Sequence, residues 1–148
     1  MGSAVQGIVE DPDEIRAIAG SLRRVAVLGI KTIAQATQPA YYVPAYLVAA
    51  GVDVVPVPTL FPDVTEILGR AVVRSVAAIE GPIDLVDVFR RPVDLDAHLS
   101  DLLAARPPVV WLQLGIRSDT FARTLAEAGI RVVQDRCLMV EHRAARAR

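Results

Sequence analysis

Five short runs rich in β-branched residues recur along the chain, at residues 25–29, 52–57, 83–89, 109–113 and 130–134, with their starts between 21 and 31 residues apart. Each is bounded by Gly, Pro or a charged residue, which is the signature of a strand. Segments 40–50, 95–105 and 118–128 between them carry helical periodicity, and shorter helices are expected near residues 64–68 and 74–79. This spacing is that of βαβ units, so the chain is expected to form an α/β fold: five parallel strands in one sheet, with helices on both faces. With 148 residues, 53% of them hydrophobic, it has the size of a single domain.

The helix ends agree with this reading. Pro39 suits a first helical turn, Ser118 suits an N-cap, and Gly51 and Gly129 stand just beyond two helices. Residues 11–22 place Ile15, Ile18, Ala19 and Leu22 at helical spacing after Asp11-Pro12, so residues 1–23 are expected to hold a lead-in helix ahead of a domain at 24–148. Residues 138–146 end in basic side chains, where a terminal helix favours them.

Sixteen basic and seventeen acidic residues leave a net charge of -1, without the overall positive field of a nucleic-acid binder. The longest apolar stretch, residues 40–52, contains Pro44 and Gly51 and ends at Asp53, short of the roughly 20 residues needed to span a membrane. The N-terminus shows no secretory pattern, and Gln6 breaks the myristoylation pattern begun by Met1-Gly2. The lone Cys137 excludes an internal disulfide and a Cys-rich zinc site, and it fits a reducing cytoplasm.

Ligands of open parallel sheets sit outside the carboxyl ends of the strands. Four of the five strand exits here carry a cation, namely Lys31, Arg90 with Arg91, Arg117, and Arg136, against only Asp135 in the immediate exits. An anionic, phosphate-bearing ligand is therefore expected there, with some of these cations pairing to Asp87, Asp94 or Glu141. Gly29 at the first exit would let a pyrophosphate approach, and a helix starting at Pro39-Ala40 would present its N-terminus. The G-x-G-x-x-G fingerprint is missing, however, because no glycine follows Gly29 until Gly51. No acid ends the second strand to hold the ribose of NAD, and no Gly-Lys-Ser/Thr marks a P-loop.

Taken in order, residues 25–29, Gln-Pro-Ala-Tyr-Tyr-Val at 38–43, Val-Pro-Val at 55–57, Val-Asp-Val-Phe-Arg at 86–90, Val-Trp-Leu-Gln-Leu-Gly at 110–115 and Asp-Arg-Cys-Leu-Met-Val-Glu-His at 135–142 resemble the small single-domain CoA-binding proteins. These are similar in fold to the CoA-binding domain of the succinyl-CoA synthetase α-subunit. The resemblance implies a Rossmann-like sheet with coenzyme A across its carboxyl edge. By position, Gly29, Ile30, Lys31, Gln38, Ala40 and Tyr41 would surround the phosphates and Pro58 would lie near the adenosine. Phe89, Arg90, Gln113, Leu114 and Gly115 would line the edge toward the pantetheine. Gln38 stands where this family usually has arginine, and residues 58–60 stand where Asn-Pro and a basic residue are common. Each lost charged hydrogen bond would cost about 1.5–3 kcal/mol.

No catalytic constellation is visible. His98, among Asp94, Asp96 and Asp101, reads as part of an exposed helix face, and His142 and Trp111 read as structural. Cys137 reads as a small packed residue, with a disulfide to the CoA thiol as the sharper alternative. Asp84 and Asp87 fall on opposite faces of a strand and form no acid/base pair. The sequence thus points to a cytoplasmic protein that binds coenzyme A or an acyl-CoA without catalysis and without a metal. An apolar helix face leaves a homodimer open. Two alternatives share the fold: a small NAD(P)- or CoA-dependent enzyme relying on Arg90, Cys137 or His142, and an interaction module with a decayed nucleotide pocket.

Overall fold

A computed structural model describes residues 6–147 of the chain. The β-branched runs form the strands β1 (Arg24–Leu28), β2 (Asp53–Val57), β5 (Leu85–Val88), β6 (Val109–Leu112) and β7 (Arg131–Val133), and all five join one sheet in the order β2-β1-β5-β6-β7. Every pairing in it is parallel, as the spacing predicts. Because helices cover both faces, residues pointing either way are buried, which explains why these strands read as continuous rather than alternating apolar runs.

One face packs Val25, Val27, Leu85 and Trp111 against α1 (Pro12–Gly20), α2 (Pro39–Ala49) and α5 (Leu138–Arg146) through Ile15, Ile18, Val43, Leu47 and Leu138. The other packs Ala26, Leu28, Val86, Val88, Val110 and Leu112 against α3 (Leu99–Ala105) and α4 (Asp119–Glu127) through Leu102, Phe121 and Leu125. Helix α1 starts under a cap from the Asp11 carboxylate, which accepts the Glu14 N–H at 3.0 Å. It crosses α5 so closely that a Cβ on Gly20 would meet the Ala145 Cβ at 2.8 Å. Residues before α1 run beside β7, where Val9 N–H donates to Val132 O and Val132 N–H to Gly7 O, both at 2.8 Å. The part of the expected lead-in segment at residues 1–5 lies outside the described residues.

The crossover from β2 to β5 differs from expectation. Residues 64–68 are not helical: β3 (Glu66–Ile67) and β4 (Arg70–Ala71) form an antiparallel hairpin. Its two-residue turn, Leu68-Gly69, has positive φ at both positions (54° and 74°), the geometry that matches strand twist. Ile67 turns into the core. Residues 74–79 contribute only a 3-10 turn at Val76–Ala78. The expected helix at 95–105 is divided into a 3-10 segment, Pro92–His98, and α3. Pro56 is tolerated in β2 because that strand lies at the sheet margin, where its carbonyl accepts from Val73 N–H at 2.9 Å. No helix among the described residues is long and apolar enough to cross a membrane.

Candidate functional site

The chain leaves β1 toward β2 on one side and returns to β5 on the other, so the sheet reverses direction between β1 and β5. Loops diverge at such a point and leave a crevice outside the carboxyl ends of the two strands. Gly29-Ile30-Lys31 and Phe89-Arg90 are the residues by which the chain leaves these two strands.

Gly29 has φ +88°, and a Cβ there would stand 2.3 Å from the carbonyl oxygen of Phe89. The missing side chain is thus required by the chain's own β5 exit, and not by an approaching pyrophosphate as the sequence alone suggests. Ile30 is buried, and Lys31 is half-buried with its Nζ donating to Gln38 Oε1 at 2.6 Å. Helix α2 contains Pro44 within its second turn. Proline has no N–H to give the carbonyl four residues back, and that carbonyl, on Ala40, accepts instead from the Lys31 N–H at 3.1 Å. The loop after β1 is therefore stitched to the helix that follows it. Within that loop Thr32 and Gln35 bond reciprocally around a 3-10 turn at Ile33–Gln35. At the start of α2, Tyr41 and Tyr42 N–H both donate to Gln38 O, while the Ile30 and Ala40 amides have no acceptor among the described residues. The Ala40 N–H lies in the first turn of α2, where an N-terminus carries partial positive charge, and the Ile30 N–H lies in the loop stitched to that helix.

The side-chain cations are more compensated than the strand exits alone suggest. Arg91 pairs with Asp94 at 2.9 Å, Arg117 with Asp119 at 3.3 Å and Glu10 at 3.7 Å, and Arg136 with Glu141 at 3.5 Å. The acids come from the helical segments that follow the exits and from the segment before α1, beyond the immediate exits. The anticipated pairing to Asp87 does not occur. Lys31 alone among these cations has no carboxylate within 4 Å among the described residues.

Beyond the crevice, next to the β2 exit, lies a cleft of about 570 Å³ lined in part by Pro58, Thr59, Phe61, Arg74 and His98. Arg74 clips the loop over it by donating to the carbonyls of Phe61, Pro62 and Val64 at 2.6 to 3.1 Å. Pro58 is buried in its wall. Arg90 reaches the cleft, with Nε donating to His98 Nε2 at 3.0 Å and a terminal nitrogen to Thr59 Oγ1 at 3.2 Å. His98 is half-buried and tied to Arg90, so it does not belong to an exposed helix face. Sequence reasoning missed Thr59, and the only available signal was its place one residue after Pro58.

On the other side of β5, Gln113 is buried and its Oε1 accepts the Leu138 N–H at 3.3 Å, linking the β6 exit to the start of α5. Leu114 is 66% exposed, and Gly115 N–H donates to Asp135 Oδ1 at 2.7 Å. Phe89 packs partly into the core and borders the same helix start. The twelve anticipated residues therefore fall along the one carboxyl edge, with Gln113 and Gly115 committed to holding it together. Cys137 caps α5 and is half-buried rather than enclosed. His142 is buried, with Nδ1 2.8 Å from the Tyr46 hydroxyl, in keeping with a structural role. Asp84 accepts the N–H groups of Arg23 and Arg24 at 2.7 and 2.9 Å just before β5. Asp87 lies in the middle of β5 between Val27 and Trp111, fully buried and without a hydrogen-bond partner. Burial pushes its carboxyl well above the usual range.

Comparison with known proteins accords with this geometry. The family described as a CoA binding domain matches residues 23–143. The uncharacterized protein YneT of Bacillus subtilis is 34% identical over 129 residues, 87% of this chain and 92% of its own length. A solved Thermus thermophilus protein, cell-free ID.343, is 44% identical with a TM-score of 0.83, covering 92% of this chain and 99% of that one. A hypothetical protein from Pyrococcus horikoshii is 28% identical with a TM-score of 0.81, over 98% of this chain and 99% of that one.

Proposed function

The chain belongs to the CoA-binding domain family, and from that premise we propose that it binds coenzyme A, free or acylated, along the carboxyl edge between β1 and β5, without catalysis of its own. The observation that carries this reading is the juxtaposition at the β1 exit. Two amides without an acceptor among the described residues, of Ile30 and Ala40, lie in the loop and helix start that also present Lys31, the exit cation with no carboxylate within 4 Å among those residues. Amides at a helix N-terminus together with a lysine are a pyrophosphate site. Gln38 and Tyr41 flank it. The base of the ligand would enter the cleft beside Pro58, whose volume falls in the range of small-molecule pockets. Pantetheine would run the other way, over Phe89 toward Gln113, Leu114 and Gly115, with Arg90, whose guanidinium turns to Thr59 and His98, between the two arms.

Calorimetric titration with coenzyme A and, separately, with NADH tests this. Saturable binding of coenzyme A that weakens with added salt supports the reading. Binding of NADH in preference to coenzyme A, or no binding of either at millimolar concentration, overturns it.

A further inference from the structure

Arg90 is the residue at the reversal point whose donors are most tightly specified. Its Nε has a single N–H, which His98 Nε2 accepts at 3.0 Å. One terminal nitrogen donates to Thr59 Oγ1 at 3.2 Å and the other lies 3.9 Å from Asp94 Oδ2. An imidazole nitrogen accepts only when it carries no proton, so this contact places the ring hydrogen of His98 on Nδ1. The guanidinium has five N–H groups, and those not turned to His98 and Thr59 remain available.

We infer that His98 is a positioning residue: its unprotonated Nε2 holds the Arg90 guanidinium in place, so that anion affinity at this edge depends on an acceptor at position 98 and falls when the imidazole gains a proton. The inference rests on the ligand reading above. The charged groups around His98 are Arg90 from the β5 exit, Asp94 from its own 3-10 segment, Asp101 from α3 and Arg74 from the β2–β5 crossover. Asp101 is occupied by the Val76 and Ala77 N–H groups at 2.7 and 2.9 Å, and Arg74 by loop carbonyls. Asp94 is held by Arg91 at 2.9 Å, which leaves Arg90 as the group that responds when the ring changes state. Burial, and then the Arg90 charge, hold His98 below its ordinary value, against a smaller pull from Asp101 and Asp94. The ring is accordingly an acceptor at neutral pH.

The test titrates coenzyme A into the full chain at pH 7.5 and at an acidic pH at which imidazole nitrogen shifts show His98 protonated, both at constant ionic strength. His98→Leu removes the acceptor and should weaken binding roughly tenfold at pH 7.5. His98→Gln supplies an amide oxygen that does not titrate, and it should bind like the parent at pH 7.5 and lose less affinity than the parent at the acidic pH. In an Arg90→Ala background His98→Leu should have no further effect, because the residue acts through Arg90. Parent-like binding by His98→Leu, or an undiminished acid loss in His98→Gln, overturns the inference. Nitrogen chemical shifts of the imidazole give a readout without ligand. An Nε2-protonated ring at pH 7.5 refutes the positioning contact, whereas absence of any coenzyme A binding by the parent refutes the ligand reading.

Discussion

The Lys31 amide donates to the Ala40 carbonyl at 3.1 Å because Pro44, one turn along α2, has no N–H to offer that oxygen. A proline that weakens the helix ladder thereby anchors the loop carrying the uncompensated lysine. Pro44→Ala restores a competing donor. Amide exchange at Lys31 should accelerate at least about fivefold, as expected for a bond worth about 1 kcal/mol. Coenzyme A affinity should fall with it, and unchanged exchange would show that the loop is held by other means.

Lys31 and Arg117 both stand at strand exits, yet only Arg117 has carboxylates at hand. Lys31→Gln should weaken coenzyme A binding by about three- to tenfold at low salt and flatten its salt dependence. Arg117→Gln should leave both nearly as they were. Equal effects of the two substitutions would mean that the edge acts as a diffuse field rather than through Lys31.

Two glycines with nearly the same φ should answer differently to alanine. Gly29 and Gly51 have φ of +88° and +92°, but a Cβ on Gly29 meets the Phe89 oxygen at 2.3 Å whereas one on Gly51 meets nothing within 4 Å. Gly51→Ala should cost about 1–2 kcal/mol for the left-handed conformation alone. Gly29→Ala must also part β1 from the β5 exit, and chemical denaturation should show a distinctly larger loss.

Asp87 lies between Val27 and Trp111 with both oxygens unpartnered. Burial raises its carboxyl in the folded state, so its contribution to stability is fully present below the unfolded value of about 3.9 and is lost as pH climbs through the folded value. Asp87→Val, close in volume and suited to a strand, should stabilise the protein at pH 7.5 by about 1–3 kcal/mol. The gain should shrink toward pH 4. Denaturant midpoints at the two pH values measure it, and a destabilised Asp87→Val would reveal a polar partner for the carboxyl.

The sheet and most of its helices were legible because their signals are local: β-branched runs for the strands, Ser118 and Pro39 for helix starts, and Gly51 and Gly129 for helix ends. The β2–β5 crossover misled because Val64, Ile67 and Leu68 sit at helical spacing, while the deciding feature is a Leu68-Gly69 turn with leucine at positive φ, which leucine rarely adopts. The site divided in the same way. Strand exits can be located from sequence, so the anticipated residues fall along one edge. Asp94 and Glu141, a few residues beyond the cations they hold, could be anticipated, whereas the pairing of Glu10 with Arg117 joins segments whose proximity only the folded chain creates, and the His98 contact to Arg90 depends on how the 3-10 segment turns.

The two margins of the sheet close in different ways. At β2, Pro56 offers no donor and its carbonyl is taken by Val73, while at β7 residues 7–9 already occupy the outer rank of amides and carbonyls. Among the described residues, the outer ranks of both marginal strands are thus partly taken, and an open strand edge is the template onto which another molecule adds a strand. A strand added directly to β2 or β7 by another molecule would have to displace the Val73 contact at one margin or residues 7–9 at the other, so the proline and the N-terminal segment that finish the fold also raise the cost of cross-β growth there.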